Sequence, residues 1–464
     1  MDQNSSPLSP QSSKVDSISL ILTACVISVL LIYLVFTRNF VFGSELGNWT
    51  DHYLSSVPVF PKWIPFIVLL SIGLFVLLGS KLIHIYERIT LSVLFLLAVF
   101  IQSLIRMIYP FSLGSVVQSD GANSFFTPAM SYSGVEFLSK FITLAPSLPL
   151  HARANMPGKI LLFEFFKLFT SSQEIMGYLI IILSSLGALL LYGICKRLFH
   201  DKKTAFYALT LYILVPCRVF YLPMLNTITP VLMLLCFYLF VVYLENKNIW
   251  IAWLLGLSGY ILILFEPSPL ITGIVLIGIV IHAIREKRFS GKDLFQLFVN
   301  TSLGFLVVYI LFYILFSFNL FQSFLYVLKE ARNFNIDYER GYLIWTIVNN
   351  KDFFYGVGLP VVIIFIYMTA HILVQTKSPT NISEWSLENI FVICLLITYF
   401  VLLILGINRG EVIRLWIYLA VLFQVPASTF IAKIEKGEFL FFIVAGLIAV
   451  QVMVTLHRVG FVRP

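Results

Sequence analysis

Residues 390–407 read IFVICLLITYFVLLILGI, eighteen consecutive positions without a charge. A helix needs about 20 mostly apolar residues to cross the hydrocarbon core of a bilayer. Lipid gives the backbone no hydrogen-bond partners, so such a run must be helical. Working outward, the same pattern recurs at 18–36, ISLILTACVISVLLIYLVF, and along most of the chain. The spans read as 18–37, 63–80, 88–109, 175–195, 204–217, 229–245, 250–266, 269–284, 295–318, 357–375, 390–407, 413–431 and 438–456. Composition agrees: the chain is 59% hydrophobic and 12% charged, whereas soluble domains run at about 45–50% apolar and about 25% charged. The expected fold is therefore an all-α polytopic transmembrane helix bundle of about 13 spans. A polar, Ser-rich tail at 1–17 precedes a single transmembrane domain at 18–464. That tail carries one basic residue, Lys14, and no small-residue cleavage site, so the first span reads as retained.

Orientation comes from the short basic loops. The two densest, KRLFHDKK at 196–203 and REKRFSGKD at 285–293, are expected on the cytoplasmic side. Threading from them puts the N-terminus inside. The loops at 110–172 and 319–356, and the turn at 408–411, then fall outside. The net charge of +8 sits at membrane edges, where anionic lipid is the natural partner, and no pattern points to nucleic acid. Cys25, Cys195, Cys217, Cys236 and Cys394 are scattered in or beside spans, with no zinc or redox spacing. Asn48-Trp-Thr and Asn381-Ile-Ser match the N-glycosylation acceptor pattern, the second on a loop expected inside.

Two outer segments read as amphipathic helices lying in the interface plane. KILLFEFFKLFT groups Lys159, Glu164 and Lys167 in one arc. LFQSFLYVLKEARNF sets Gln322, Lys329, Glu330 and Asn333 against Phe324, Leu328, Ala331 and Phe334. Such helices either seal the bundle or roof a cavity for a lipid-linked substrate.

Three polar clusters gather on the same expected side. SDGANSFFTPAMSYSGVEF carries Asp120 just past the third span, where partial desolvation at a cavity mouth can tune a carboxylate; the plain alternative is a turn or cap. LPLHARANMPGKILLFEFF carries His151, Arg153 and Lys159 around a Pro157-Gly158 turn, at headgroup depth where phosphate is the anion to meet. INRGEVIRLWIYLAVLFQVPAS opens a span with Arg409, Glu411 and Arg414. An arginine there can hold a phosphate through two N–H groups with the carboxylate orienting it, or the pair can simply satisfy itself.

Together, an outer-loop acid, a His/Pro-Gly segment before an interfacial helix and a late RGE-x-x-R-x-W resemble the GT-C superfamily of membrane glycosyltransferases. The bacterial branch related to protein mannosyltransferases and arabinosyltransferases is the nearest likeness, over roughly Asp120 to Pro426. Two positions depart from its pattern: the acid pair reads Asp120-Gly121, and the HPPG-like stretch reads Asn155-Met156-Pro157-Gly158. The resemblance implies a GT-C-like fold and transfer of a sugar from a polyprenyl-phosphate donor to a glycan, lipid or protein acceptor of the cell envelope. Asp120 would be the general base. Arg409, Glu411 and Arg414 would bind substrate phosphate, with His151 and Lys159 as further contacts. The resemblance leaves room for a divalent metal as cofactor, and the missing second acid removes a ligand for it; no metal ligand is assigned. A bacterial inner membrane, with the site on its outer face, follows from the same likeness. The alternatives are a transporter or flippase of lipid-linked sugars, for which Glu266 is the nearest intramembrane acid, and a non-catalytic scaffold on the same fold.

Overall fold

The computed structural model describes residues 10–55, 60–121, 123–375 and 385–462. The beginning of the polar tail and Asn381 lie outside them. Among the described residues, ten helices are long and apolar enough to cross a membrane by themselves. They are Ser19–Phe36, Trp63–Leu82, Glu87–Arg106, Gln173–Phe199, Lys202–Phe220, Leu225–Asn246, Ser268–Arg285, Gly291–Phe316, Leu387–Leu405 and Gly437–Arg458. Ile249–Phe265 and Ile417–Lys433 are shorter apolar helices, and Tyr342–Val357 with Leu359–Val374 forms a pair bent by 112°. The protein is an integral membrane protein built as an all-α bundle.

Each of the thirteen expected runs coincides with a helix, and the differences have local causes. The helix expected at 204–217 stops at Leu214 and restarts at Pro216, because a proline disfavours helical geometry in the residue before it. The bend before Leu359 falls on Gly358, whose φ of +110° is open only to glycine. Helix Pro10–Phe36 begins inside the segment read as a polar tail. Two glycines let a pair of helices touch backbone to backbone. A Cβ on Gly256 would lie 2.1 Å from the Thr301 carbonyl oxygen, and one on Gly304 would lie 2.4 Å from that of Trp253.

The ends of the bundle differ chemically. At one end, Glu87 pairs with Lys196 at 2.5 Å and Lys202 at 3.1 Å. Lys247 pairs with Asp293 at 2.8 Å, and Arg197 and Lys433 pair with Glu245 and Glu388. Both dense basic loops therefore lie at this end. At the other end sits a small antiparallel hairpin that periodicity did not announce, β1 at Phe42–Ser44 and β2 at Trp49–Asp51, with Phe42 opposite Asp51. Tyr53 bridges to Val459, and the Gly460 N–H donates to the His52 carbonyl at 3.0 Å. The buried Asp352 accepts from the Gly43 N–H at 2.9 Å, which ties the hairpin to the bent helix pair.

Candidate functional site

Two cavities lie side by side at the hairpin end, and His151, Met224, Glu411 and Arg414 line both. The smaller, of about 90 Å³, is also lined by Asn155, Asn335, Arg340, Asn408 and Arg409. The larger, of about 620 Å³, is completed by Glu45, the stretch Asn48 to His52, Gly121, Gly460 and Phe461.

The RGE segment is shaped by its neighbours. Gly410 has φ +82°, and a Cβ there would come within 2.9 Å of the Trp345 ring. Its N–H donates to the Asn349 side chain at 3.2 Å. Trp345 in turn donates through Nε1 to the Gly47 carbonyl at 3.1 Å, so one indole joins the hairpin to the RGE turn. Glu411 follows with φ +58°, a left-handed conformation that costs a non-glycine residue about 1–3 kcal/mol. Ion pairing holds it there. Its carboxylate accepts from Arg340 at 3.0 Å and from Arg414. Burial opposes ionisation of Glu411, but Arg414 and Arg340 outweigh it and bring the carboxyl down to about 2.

Arg340 and Arg409 are cross-braced: Arg340 donates to the Arg409 carbonyl at 2.7 Å, and Arg409 to that of Arg340 at 2.9 Å. Arg340 lies over the rings of Phe334, Trp49, Tyr338 and Trp345, at 4.7–5.9 Å from their centroids. Arg414 meets His151 Nε2 at 3.4 Å, and its Nε is a buried N–H without a hydrogen-bond partner.

Burial, reinforced by the Arg414 charge, lowers the His151 pKa to about 4 from an ordinary 6.5. Imidazole is then neutral at physiological pH, with one nitrogen free to accept from Arg414. Between pH 6.5 and 4 the unfolded chain binds this proton and the folded one does not, so stability rises with pH across that window. The His151 contribution is complete above pH 6.5 and is lost as pH falls to about 4. We expect thermal unfolding profiles of His151→Gln to lack this part of the acid slope; a slope identical to that of the unmodified protein would refute the assignment.

The structure distributes the sequence-expected residues unequally. His151, Arg409, Glu411 and Arg414 converge. Lys159 does not join them: it is 1% exposed and pairs with Glu266 at 2.8 Å, while donating to Asn155 at 3.0 Å. Burial lowers its pKa, with Glu266 opposing the shift. Its charge is met by a buried carboxylate, and it lines neither cavity. Glu266 also accepts from Thr229 at 2.8 Å, which makes this acid half of a buried pair. Removing one partner of such a pair costs about 3–5 kcal/mol. Glu266→Ala should accordingly lower the melting temperature sharply, and Glu266→Ala with Lys159→Met should recover much of the loss. Equal melting of the single and double variants would overturn this.

Asp120 is exposed and lines neither cavity; only its neighbour Gly121 reaches the larger one. The carboxylates that line the larger cavity beside Glu411 and Arg414 are Glu45 and, at the end of β2, Asp51. Arg340 and Asp51 were both missed by sequence reading. Among the described residues, no three His, Cys, Asp or Glu side chains are grouped to hold a metal ion.

No protein-family model matches the chain, and no curated protein matches it either.

Proposed function

We propose that the protein is a membrane glycosyltransferase that moves a sugar from a polyprenyl-phosphate donor to an acceptor at the hairpin end of the bundle, which the positive-inside rule places on the outer face. The observation that carries this reading is the junction of two cavities of opposite character at one wall. Three guanidiniums, Arg340, Arg409 and Arg414, line the smaller with Glu411; three carboxylates, Glu45, Asp51 and Glu411, line the larger with Arg414. A transfer that separates a departing phosphate from an attacking hydroxyl needs both.

In this reading the donor phosphate lies in the arginine cavity. Guanidiniums offer paired N–H groups to phosphate oxygens, and fixed charges stabilise the negative charge that builds as the anomeric C–O bond breaks. The acceptor hydroxyl attacks the anomeric carbon from the other side of the shared wall and gives its proton to the Asp51 carboxylate. The phosphate leaves with the bonding electron pair. Glu411 and His151 position Arg414.

The donor's hydrocarbon tail has a candidate path. An apolar groove of about 900 Å³ runs between Ile249–Phe265, Gly273–Arg285 and Gly291–Phe316, and Tyr309 and Phe321 are among its lining residues. Helix Leu320–Asp337 starts at that groove, and its far end, at Ala331, Phe334 and Asn335, lines the arginine cavity.

The test is turnover. Purified protein in nanodiscs, given labelled polyprenyl-phosphate sugars and membrane-derived acceptors, should release polyprenyl phosphate together with a labelled product. No release from any donor in the panel would sink the proposal. Transbilayer movement of the intact donor without cleavage would replace it with lipid transport.

A further inference from the structure

The larger cavity has a chemistry of its own. Every residue that lines it comes from the hairpin, the loops or the short helices at one end of the bundle, and none from a membrane-spanning helix. It is thus a chamber for a hydrated group, in contrast to the apolar groove among the helices. At about 620 Å³ it has the size of an ordinary small-molecule site.

Its surface combines two kinds of group. Trp49 and Phe461 supply aromatic rings, while Glu45, Asp51 and Asn48 supply planar oxygens and a carboxamide. Sugars present just this pair of surfaces: C–H faces that pack on rings, and hydroxyls that donate to carboxylates and accept from amides. Charge narrows the choice. Glu411 is paired with Arg340 and Arg414, so Glu45 and Asp51 give the rest of the wall its charge, and a bound carboxylate or phosphate would meet like charge in a partly desolvated space.

We propose that this chamber is an acceptor subsite for a glycan that is uncharged or carries an amino group, and that it rejects uronic and phosphorylated sugars. The proposal rests on the transfer reading and specifies its acceptor. Trp49 is the platform for the sugar ring, and Glu45 and Asp51 accept its hydroxyl or ammonium protons.

Binding measured without donor separates this proposal from catalysis. Full-length protein in nanodiscs would be titrated with three probes: neutral diacetylchitobiose, its diamine chitobiose, and a hyaluronan-derived disaccharide bearing a uronate. The first two should bind, with the uronate weaker by about tenfold. Trp49→Ala should weaken diacetylchitobiose by about tenfold. Because that variant also loses hairpin packing, Glu45→Lys at an exposed position gives a second reading: it should raise uronate affinity and lower that of the diamine. A uronate that binds as tightly as the neutral probe, no binding by any probe, or affinities indifferent to both variants would overturn the subsite. Disaccharide binding without turnover of any donor would keep the subsite and fail the transfer reading. Turnover onto a lipid or protein without disaccharide binding would do the reverse.

Discussion

Asp51→Asn should reduce sugar transfer by about 10²–10⁴-fold, the usual worth of a positioned general base, with the fold intact. Asparagine keeps the shape and hydrogen-bonding capacity of the side chain but cannot take the acceptor proton. The backbone of Asp51 is held by its pairing with Phe42 across the hairpin, which does not depend on the carboxylate. The loss should fall on kcat, with donor KM little changed. Initial rates with labelled donor, run beside a melting curve, measure both. Asp120→Asn serves as the companion, since its exposed side chain lines neither cavity; its rate should stay near that of the unmodified protein. An active Asp51→Asn beside an inactive Asp120→Asn would return the base to Asp120.

The contrast between these aspartates shows what the sequence could and could not disclose. An acid in an outer loop after an early span was the signal for Asp120, and Asp51, in the loop after the first span, fits it equally well. Nothing in the composition of either loop ranks them. The choice is made by a hairpin of two three-residue strands, too short to leave a readable alternation, and by Trp345 and Asp352 about 300 residues away, which fasten it to the RGE turn and the bent helix pair. Arg340 was hidden in the same way: its role is set by cross-bracing with Arg409 and by the rings around it. Lys159 shows the opposite case. Its place on an amphipathic arc suggested a headgroup contact, but Glu266, on another segment, claims it.

The bundle itself was far more legible. Apolar length is a property of contiguous residues and each membrane helix satisfies its own backbone, so its location needs no knowledge of its neighbours. The dense basic loops at 196–203 and 285–293 likewise read correctly as sharing one end, where Lys196, Lys202 and Lys247 now find their carboxylates. The RGE turn sits between the two regimes. Its arginines could be recognised from their residue types and spacing, but the left-handed backbone of Glu411 depends on charges from Arg340 and Arg414 that only the folded chain assembles.

That dependence gives Arg414 the second large effect. Arg414→Ala should lower kcat/KM for the donor by about 10²–10³-fold, the range for losing one preorganised donor to developing negative charge. Its guanidinium is the cation common to both cavities. Two of its nitrogens are engaged by Glu411 and His151, while Nε is buried and unpartnered, so the Nε–H remains among the groups that can meet a phosphate oxygen at the wall. Stability should suffer less than activity, because Glu411 keeps Arg340 at 3.0 Å and is not left as an isolated buried charge. Arg414→Lys should rescue little: an ammonium restores the charge but not the planar fork that meets Glu411, His151 and substrate together. Donor titrations and unfolding curves on the two variants decide the matter. Unchanged donor kinetics with a lower melting temperature would mean that the Glu411–Arg414 pair is structural, and the phosphate would then have to be held by Arg340, whose Nε is also buried and unpartnered, and by Arg409, which gives its Nε and one further nitrogen to the Gly406 and Arg340 carbonyls.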